Sequence, residues 1–366
     1  MPSNNARFLL ASTLAASCGW ASAQASVSLY GLVDTSVEWV NRVGPERDTL
    51  TRMPNLSGSS PSRLGLRGRE DLGGGLSAQW ALEMGIATDS GAINNGNRAF
   101  GRQAVLGLHG DWGSLSVGRQ YNMLFWSMIG ADVIGPSMHS MASLDGYIPN
   151  ARADNSLAYR GRWGAWSAGA TYSFGRDVVN AGPSPAGANC AGESAVDKQR
   201  CREWSAALQW DSPQGGVALG HLQQNGGPGA FAGLMSSQMQ DRRSWLTGYA
   251  KFDQLKLGAG FIQRRNDAAA TPRSQLWFLG ATYQTGPWTL DSQFSQLRVA
   301  HSSDRGQLLV LRAAYHLSKR TAVYASLGHV RNNGQAAFSA SAAAAGSLPL
   351  AGSQQSAVGA GLRHSF

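Results

Sequence analysis

The sequence predicts an all-β protein, a transmembrane up-and-down antiparallel β-barrel of about sixteen strands. Three observations carry this. Apolar and polar residues alternate with a period of two in one segment after another from Ser26 onward. Short and long connections alternate between those segments. Beyond the N-terminus there is no apolar run of about 18 residues or more, which removes transmembrane helices but not a barrel that shows lipid only every second residue. Gly 46 with only 14% charged residues is unlike a soluble enzyme, and a mean hydropathy of -0.22 is too polar for a helical membrane protein.

Val27, Leu29, Val33, Val37 and Trp39 alternate with Ser28, Asp34, Ser36 and Glu38, so one face of this strand meets lipid and the other water. Leu76, Ala78, Trp80, Leu82 and Met84 do the same against Ser77, Gln79 and Glu83. The pattern returns at 166–174, 204–210, 255–261, 288–294 and 321–327. Tight turns are read at 71–75, 110–113, 161–164, 211–215, 253–254, 285–287 and 318–320. Longer polar segments fall between them, near 41–61, 85–98, 121–154, 175–201, 224–243, 265–274, 299–306 and 332–354. Strict alternation of this kind is what a barrel gives when one rim has short periplasmic turns and the other long extracellular loops. Tryptophans such as Trp39, Trp112, Trp163, Trp166, Trp210, Trp245 and Trp288 fall mostly near strand ends, where an interfacial girdle would lie.

Residues 1–23 read as a secretory signal peptide, with Arg7 before the apolar stretch 8–16 and Ala21-Ser22-Ala23 as the small-residue cleavage site. The mature barrel is expected to occupy 24–366. Cys190 and Cys201 then remain, in a Gly- and Ala-rich loop, and a local disulfide is expected in an oxidising compartment. No cofactor and no metal site is expected. The net charge is +9, but the basic residues are spread singly through strands and form no run, which argues against nucleic acid. Small anionic solutes and lipopolysaccharide phosphates suit an exported basic protein better.

The run 26–31 (SVSLYG), then 62–73 (SRLGLRGREDLG), resembles the start of the general trimeric porins of Gram-negative outer membranes, most closely those of β-proteobacteria. Gly101-Arg102-Gln103 before Leu106-Gly107-Leu108, the segment 113–120, Asn155 to Tyr159 and the ending 361–366 (GLRHSF) continue the likeness over the whole mature chain. The resemblance implies a homotrimer in the cell outer membrane and a water-filled channel for passive diffusion of small hydrophilic solutes and ions. It also implies an assembly signal in the final strand, where Val358, Ala360, Leu362, His364 and Phe366 share one face, with Phe366 as its aromatic terminus read by the barrel-assembly machinery.

In the family the third long loop, here 121–154, folds into the lumen, and its acidic residues face arginines on the wall. That implies Asp132 and Asp145 opposite Arg63, Arg102 and Arg152, with Arg67, Arg69 and Arg119 as further basic candidates. Strand parity agrees for Arg63, Arg67 and Arg69; it puts Arg102 with Leu106 and Leu108, and Arg119 with Leu115 and Val117. Some relatives carry a first-strand lysine in this cluster where this chain has Leu32. Two aspartates against at least three arginines predict an anion-preferring constriction. The alternative is a substrate-specific channel for phosphate or organic anions. An enzyme is not supported: the seven His residues show no spacing to a nucleophile or acid.

Overall fold

In the computed structural model, residues 26–55, 58–145, 151–180, 187–268, 273–342 and 346–366 are described. The expected signal segment 1–23 lies outside them. The strands are β1 (Ser26–Val43), β2 (Asp48–Arg52), β3 (Arg63–Gly73), β4 (Leu76–Gly85), β5 (Gln103–Gly110), β6 (Gly113–Tyr121), β7 (Arg152–Trp163) and β8 (Trp166–Ser173). They continue as β9 (Glu203–Ser212), β10 (Gly215–Asn225), β11 (Gln240–Phe252), β12 (Leu255–Asn266), β13 (Arg273–Thr285), β14 (Trp288–Val299), β15 (Arg305–His316), β16 (Thr321–Asn333) and β17 (Gln354–Ser365).

Sixteen of these form the ring, each antiparallel to its sequence neighbours, and β1 closes it by pairing with β17 from Leu32↔Ser365 to Val40↔Ala357. The other edge of β1 is shared: Ser26 to Leu32 pair with β3, and Glu38 to Val43 with the short β2. The first connection, expected as loop over 41–61, thus contains a strand, and the chain leaves the wall only between Arg52 and Arg63. In lipid no backbone group finds water, so this continuous pairing is what allows the sheet to span the membrane.

Alternation sets the two faces. Val27, Leu29, Val33, Val37, Leu106, Leu115, Leu219, Leu279 and Leu311 are exposed on the outside, and Trp112, Trp163, Trp166, Trp210 and Trp288 mark the short-turn rim. Trp245 departs from the expected girdle: it is only 4% exposed and packs inside the barrel. Inward-facing Leu222, Ile262, Leu276, Phe278, Leu297, Leu308, Val310 and Val330 join it in a core that the third long loop completes.

The ring is sealed at its short-turn rim by the last residue. Gly31 N–H donates to the Phe366 carbonyl at 3.0 Å and Phe366 N–H to that of Gly31 at 3.1 Å. A Cβ on Gly31 would sit 2.3 Å from the Phe366 ring, so the glycine makes room for the aromatic terminus. Replacing Phe366 by Ala is expected to keep the register but remove about 1–2 kcal/mol of half-buried apolar contact. A lowered urea midpoint for the refolded barrel in micelles checks this; an unchanged midpoint refutes it.

Candidate pore constriction

The third long loop leaves β6 at Tyr121 and returns at Arg152. Its first part is the short helix Met123–Met128, whose N-terminus is capped by the Asn122 side chain accepting from Phe125 N–H at 3.3 Å. Leu124 and Met128 are fully buried against Leu222, Trp245 and Ile262 of the wall, each worth about 1.5–3 kcal/mol of apolar burial. Polar wall groups fix the backbone: Ser205 accepts from Met123 N–H at 3.0 Å and Thr247 donates to the Ser127 carbonyl at 3.2 Å.

Beyond the helix the loop stays on the same side of the lumen. A Cβ on Gly258 of β12 would lie 1.9 Å from the Ala131 carbonyl oxygen, so the missing side chain is what lets the loop backbone reach the wall. Arg312 of β15, paired with Asp291 at 2.8 Å, donates to the carbonyls of Ile134 at 3.1 Å and Val133 at 3.5 Å. At the far end, buried His139 bridges Ser326 at 2.9 Å and Glu38 at 3.2 Å, and Glu38 also holds Arg52 at 2.8 Å. The loop therefore lines the walls β9–β17, reaches Glu38 of β1, and leaves β3–β7 facing the open lumen.

That free wall carries the arginines. Arg102 donates from Nε to Glu83 at 2.7 Å and from Nη2 to the Tyr121 hydroxyl at 3.0 Å. Arg152 donates to the same hydroxyl at 2.5 Å and lies over the Tyr121 ring at 4.3 Å, while Phe125 stacks on that ring at 4.0 Å. Arg63 reaches the second Glu83 oxygen at 3.6 Å, and Tyr30 donates to it at 3.1 Å. One carboxylate and one phenol thus hold three guanidinium groups in place. Arg119 pairs with Asp154 at 2.6 Å and donates to the Gly101 carbonyl at 2.7 Å.

Arg63, Arg102, Arg119 and Arg152 all line one cavity of about 640 Å³. Arg98, Arg176, Arg243 and Arg264 line it too, bringing eight arginines against the carboxylates of Glu83, Asp177, Glu203 and Asp241 among the described residues. Burial pushes the Arg176 guanidinium, in the fourth long loop, below its ordinary value, opposed by Glu203, Asp241 and Asp177. Arg67 and Arg69 line a separate cavity of about 290 Å³ nearer the short-turn rim, with Arg67 over the Tyr30 ring at 5.1 Å.

Several expectations are corrected by this geometry. Asp132 is not among the residues that line the arginine cavity; it is 4% exposed and its Oδ1 accepts from Gly135 N–H at 3.0 Å, closing a turn within the loop. Asp145 ends the helical turn Ala142–Asp145, and its side chain lies outside the described residues. Parity fails for Arg102 because β5 begins only at Gln103. It fails for Arg119 because the β6–β7 register shifts between Gly118 and Gln120, a bulge that re-aims the following side chains. Glu83, Arg176, Arg243 and Arg264 are cavity residues that the family pattern did not point to. Cys190 and Cys201 form a disulfide at the base of the fourth long loop, with Cα atoms 5.2 Å apart.

Residues 11–335 match the Gram-negative porin family. Outer membrane porin protein 32 of Delftia acidovorans is 30% identical, over 98% of this chain and 99% of that protein. An outer membrane porin protein of Bordetella pertussis is 27% identical over the same shares. Among solved structures, the anion-selective porin from Comamonas acidovorans has a TM-score of 0.75 at 24% identity, covering 94% of this chain and 100% of that one. OmpT of Vibrio cholerae has a TM-score of 0.65 at 15% identity, covering 93% and 98%. The chain belongs to the Gram-negative porin family, and is a channel-forming β-barrel of the outer membrane.

Two substitutions probe the constriction. Tyr121→Phe removes the oxygen that accepts from both Arg102 and Arg152, and is expected to cost about 1–3 kcal/mol, read as a lower urea midpoint. Gly258→Leu pushes the loop off its wall toward the arginines, and single-channel conductance is expected to fall; an unchanged conductance refutes the contact.

Proposed function

We propose that the channel passes small hydrophilic solutes with preference for anions, and that Arg63, Arg102 and Arg152 carry this preference. The single observation behind it is the surplus of arginine over carboxylate around the 640 Å³ cavity. On the free wall Arg63 and Arg102 share Glu83 and Arg152 is held by the uncharged Tyr121 hydroxyl, so positive charge is left facing water on that side of the opening. Such a surplus raises the local concentration of anions, and the partly neutralised, hydrated wall keeps binding weak enough for release. A solved relative from Comamonas acidovorans is an anion-selective porin, which agrees with this reading.

The acidic counterpart differs from the family expectation. Asp132 does not line the cavity, and the carboxylates across from the arginine wall, Glu203 and Asp241 on β9 and β11, stand among Arg176, Arg243 and Arg264, so the preference rests on the surplus of positive charge rather than on an acidic face opposite it. Residues 1–23 would act as a cleaved signal peptide and 24–366 as the mature barrel, with Phe366 as its assembly signal. A homotrimer is the assembly we infer; a structural relative from Vibrio cholerae is described in a trimer form.

In planar bilayers under a KCl gradient, the reversal potential is expected to show anion preference. Arg63→Glu reverses one charge at the most exposed of the three arginines and is expected to shift that potential toward cations. The preference is also expected to shrink as the screening length falls from about 10 Å in 0.1 M salt to about 3 Å in 1 M salt. Cation preference of the unaltered channel sinks the proposal. Saturating, solute-specific block by phosphate or an organic acid would instead favour a substrate-specific channel.

A further inference from the structure

The cavity beside the arginine wall has another side, and among the described residues the third long loop gives that side no charge. Between Asn122 and Ala151 its lining side chains are Phe125, Ile129, Pro136, Ala142 and Leu144, with Ser137 and Ser140 as the only polar ones described. Both hydroxyls donate within the loop, Ser137 to the His139 carbonyl at 2.6 Å and Ser140 to the Ser137 carbonyl at 3.1 Å. Phe231 of the fifth long loop adds a further apolar surface to the same cavity. The carboxylates that line it, Glu83, Asp177, Glu203 and Asp241, all lie on other elements.

Helix geometry produces this apolar side. Residues four apart share a helix face, so Leu124 and Met128 go together into the barrel wall while Phe125 and Ile129 go together toward the cavity. Phe125 stacks on the Tyr121 ring at 4.0 Å, and the Arg152 guanidinium lies over that ring at 4.3 Å. A ring has two faces, so Tyr121 is the seam between the charged side and the apolar side. Leu144 stands against β15, where a Cβ on Gly306 would lie 3.0 Å from its Cδ2.

An anion that enters this space meets guanidinium donors on one side and hydrocarbon on the other. A solute that is polar all round must shed water against the hydrocarbon and gains no hydrogen bond there in return. A carboxylate with an apolar flank avoids that cost. Its oxygens take paired N–H donors from the arginines, and its flank loses contact with water where the loop covers it.

We propose that the constriction selects organic monoanions with an apolar flank, aromatic monocarboxylates foremost, and that Ile129, Leu144 and Phe231 read the flank. This selection rests on the anion preference proposed above and adds to it the class of anion. Contact on one open side keeps residence short, as a channel requires.

The test uses the full folded protein in planar bilayers at pH 7, where the carboxylates are ionised. Benzoate, acetate, succinate and benzyl alcohol are each titrated against the chloride current at fixed ionic strength. Benzoate is expected to halve the current at a concentration about tenfold below that of acetate, the factor that covering one ring face gives at the usual coefficient of apolar burial. Succinate, which has charge without a flank, and benzyl alcohol, which has the flank without charge, are expected to act no more strongly than acetate. With potassium benzoate on one side and potassium acetate on the other, the zero-current potential is expected to show benzoate as the more permeant although it is the larger ion. Ile129→Asn and Phe231→Ser are each expected to shrink the benzoate advantage severalfold. If Ile129→Asn forms no channel, Phe231→Ser makes the comparison, because that side chain is exposed on its loop. Equal action of benzoate and acetate on an anion-preferring channel overturns the proposal. So does succinate or benzyl alcohol acting as strongly as benzoate, or a full benzoate advantage kept in Phe231→Ser and in any Ile129→Asn channel. Cation preference in KCl alone marks failure of the underlying anion preference, and is seen before any organic solute is added.

Discussion

Every peptide group in the wall has to find its partner within the protein, because the hydrocarbon around it supplies none. A flat sheet would leave two unpaired edges, so β1 and β17 must meet, and the final residue pairs with Gly31 to complete the ring. Once the ring is closed, alternation along each strand divides the chain into a lipid face and a lumen face. The third long loop can then bury its apolar residues only by turning inward, where Leu124, Met128, Ile134 and Met141 pack on the inner wall.

The position of that loop determines the character of the pore. Arg312, His139 and the space above Gly258 hold it on the β9–β17 side, so the opening is bounded on the other side by β3 to β7. The arginines there are held by partners too few to neutralise them: Glu83 serves Arg63 and Arg102, and Tyr121 serves Arg102 and Arg152 without adding a charge. Guanidinium groups tolerate this because they stay charged and spread their hydrogen bonds in a plane, one edge on the protein and one toward water. Fixed orientation with residual charge is what a selective but fast channel needs.

The wall arginines Arg63, Arg67 and Arg69 were legible from parity because β3 is an uninterrupted strand. Arg102 and Arg119 were not, since one precedes its strand and the other follows a bulge, and a period-two count has no way to register either. Asp132 misled for a different reason. A carboxylate in a loop can serve a distant partner or its own backbone, and here one oxygen accepts from the nearby Gly135 N–H. Trp245 looked like a girdle residue because aromatic residues suit both an interface and a core. A signal for the inner core did exist: Leu276-Trp277-Phe278-Leu279 and Leu308-Leu309-Val310-Leu311 are apolar on both parities, as a wall buried on both faces must be.

The sequence by itself determined the class of fold, the approximate number and order of strands, which rim bears the long loops, and which of those loops is long enough to cross the lumen. These follow from period-two patterning and turn chemistry, which are local and repeat along the chain. Only the tertiary structure decided which wall the third loop leans on, which carboxylates stand near the arginines, and that the loop turns Phe125, Ile129 and Leu144 toward the cavity. Those facts depend on register between strands far apart in sequence and on competition among hydrogen-bond partners, and neither is encoded in any one segment.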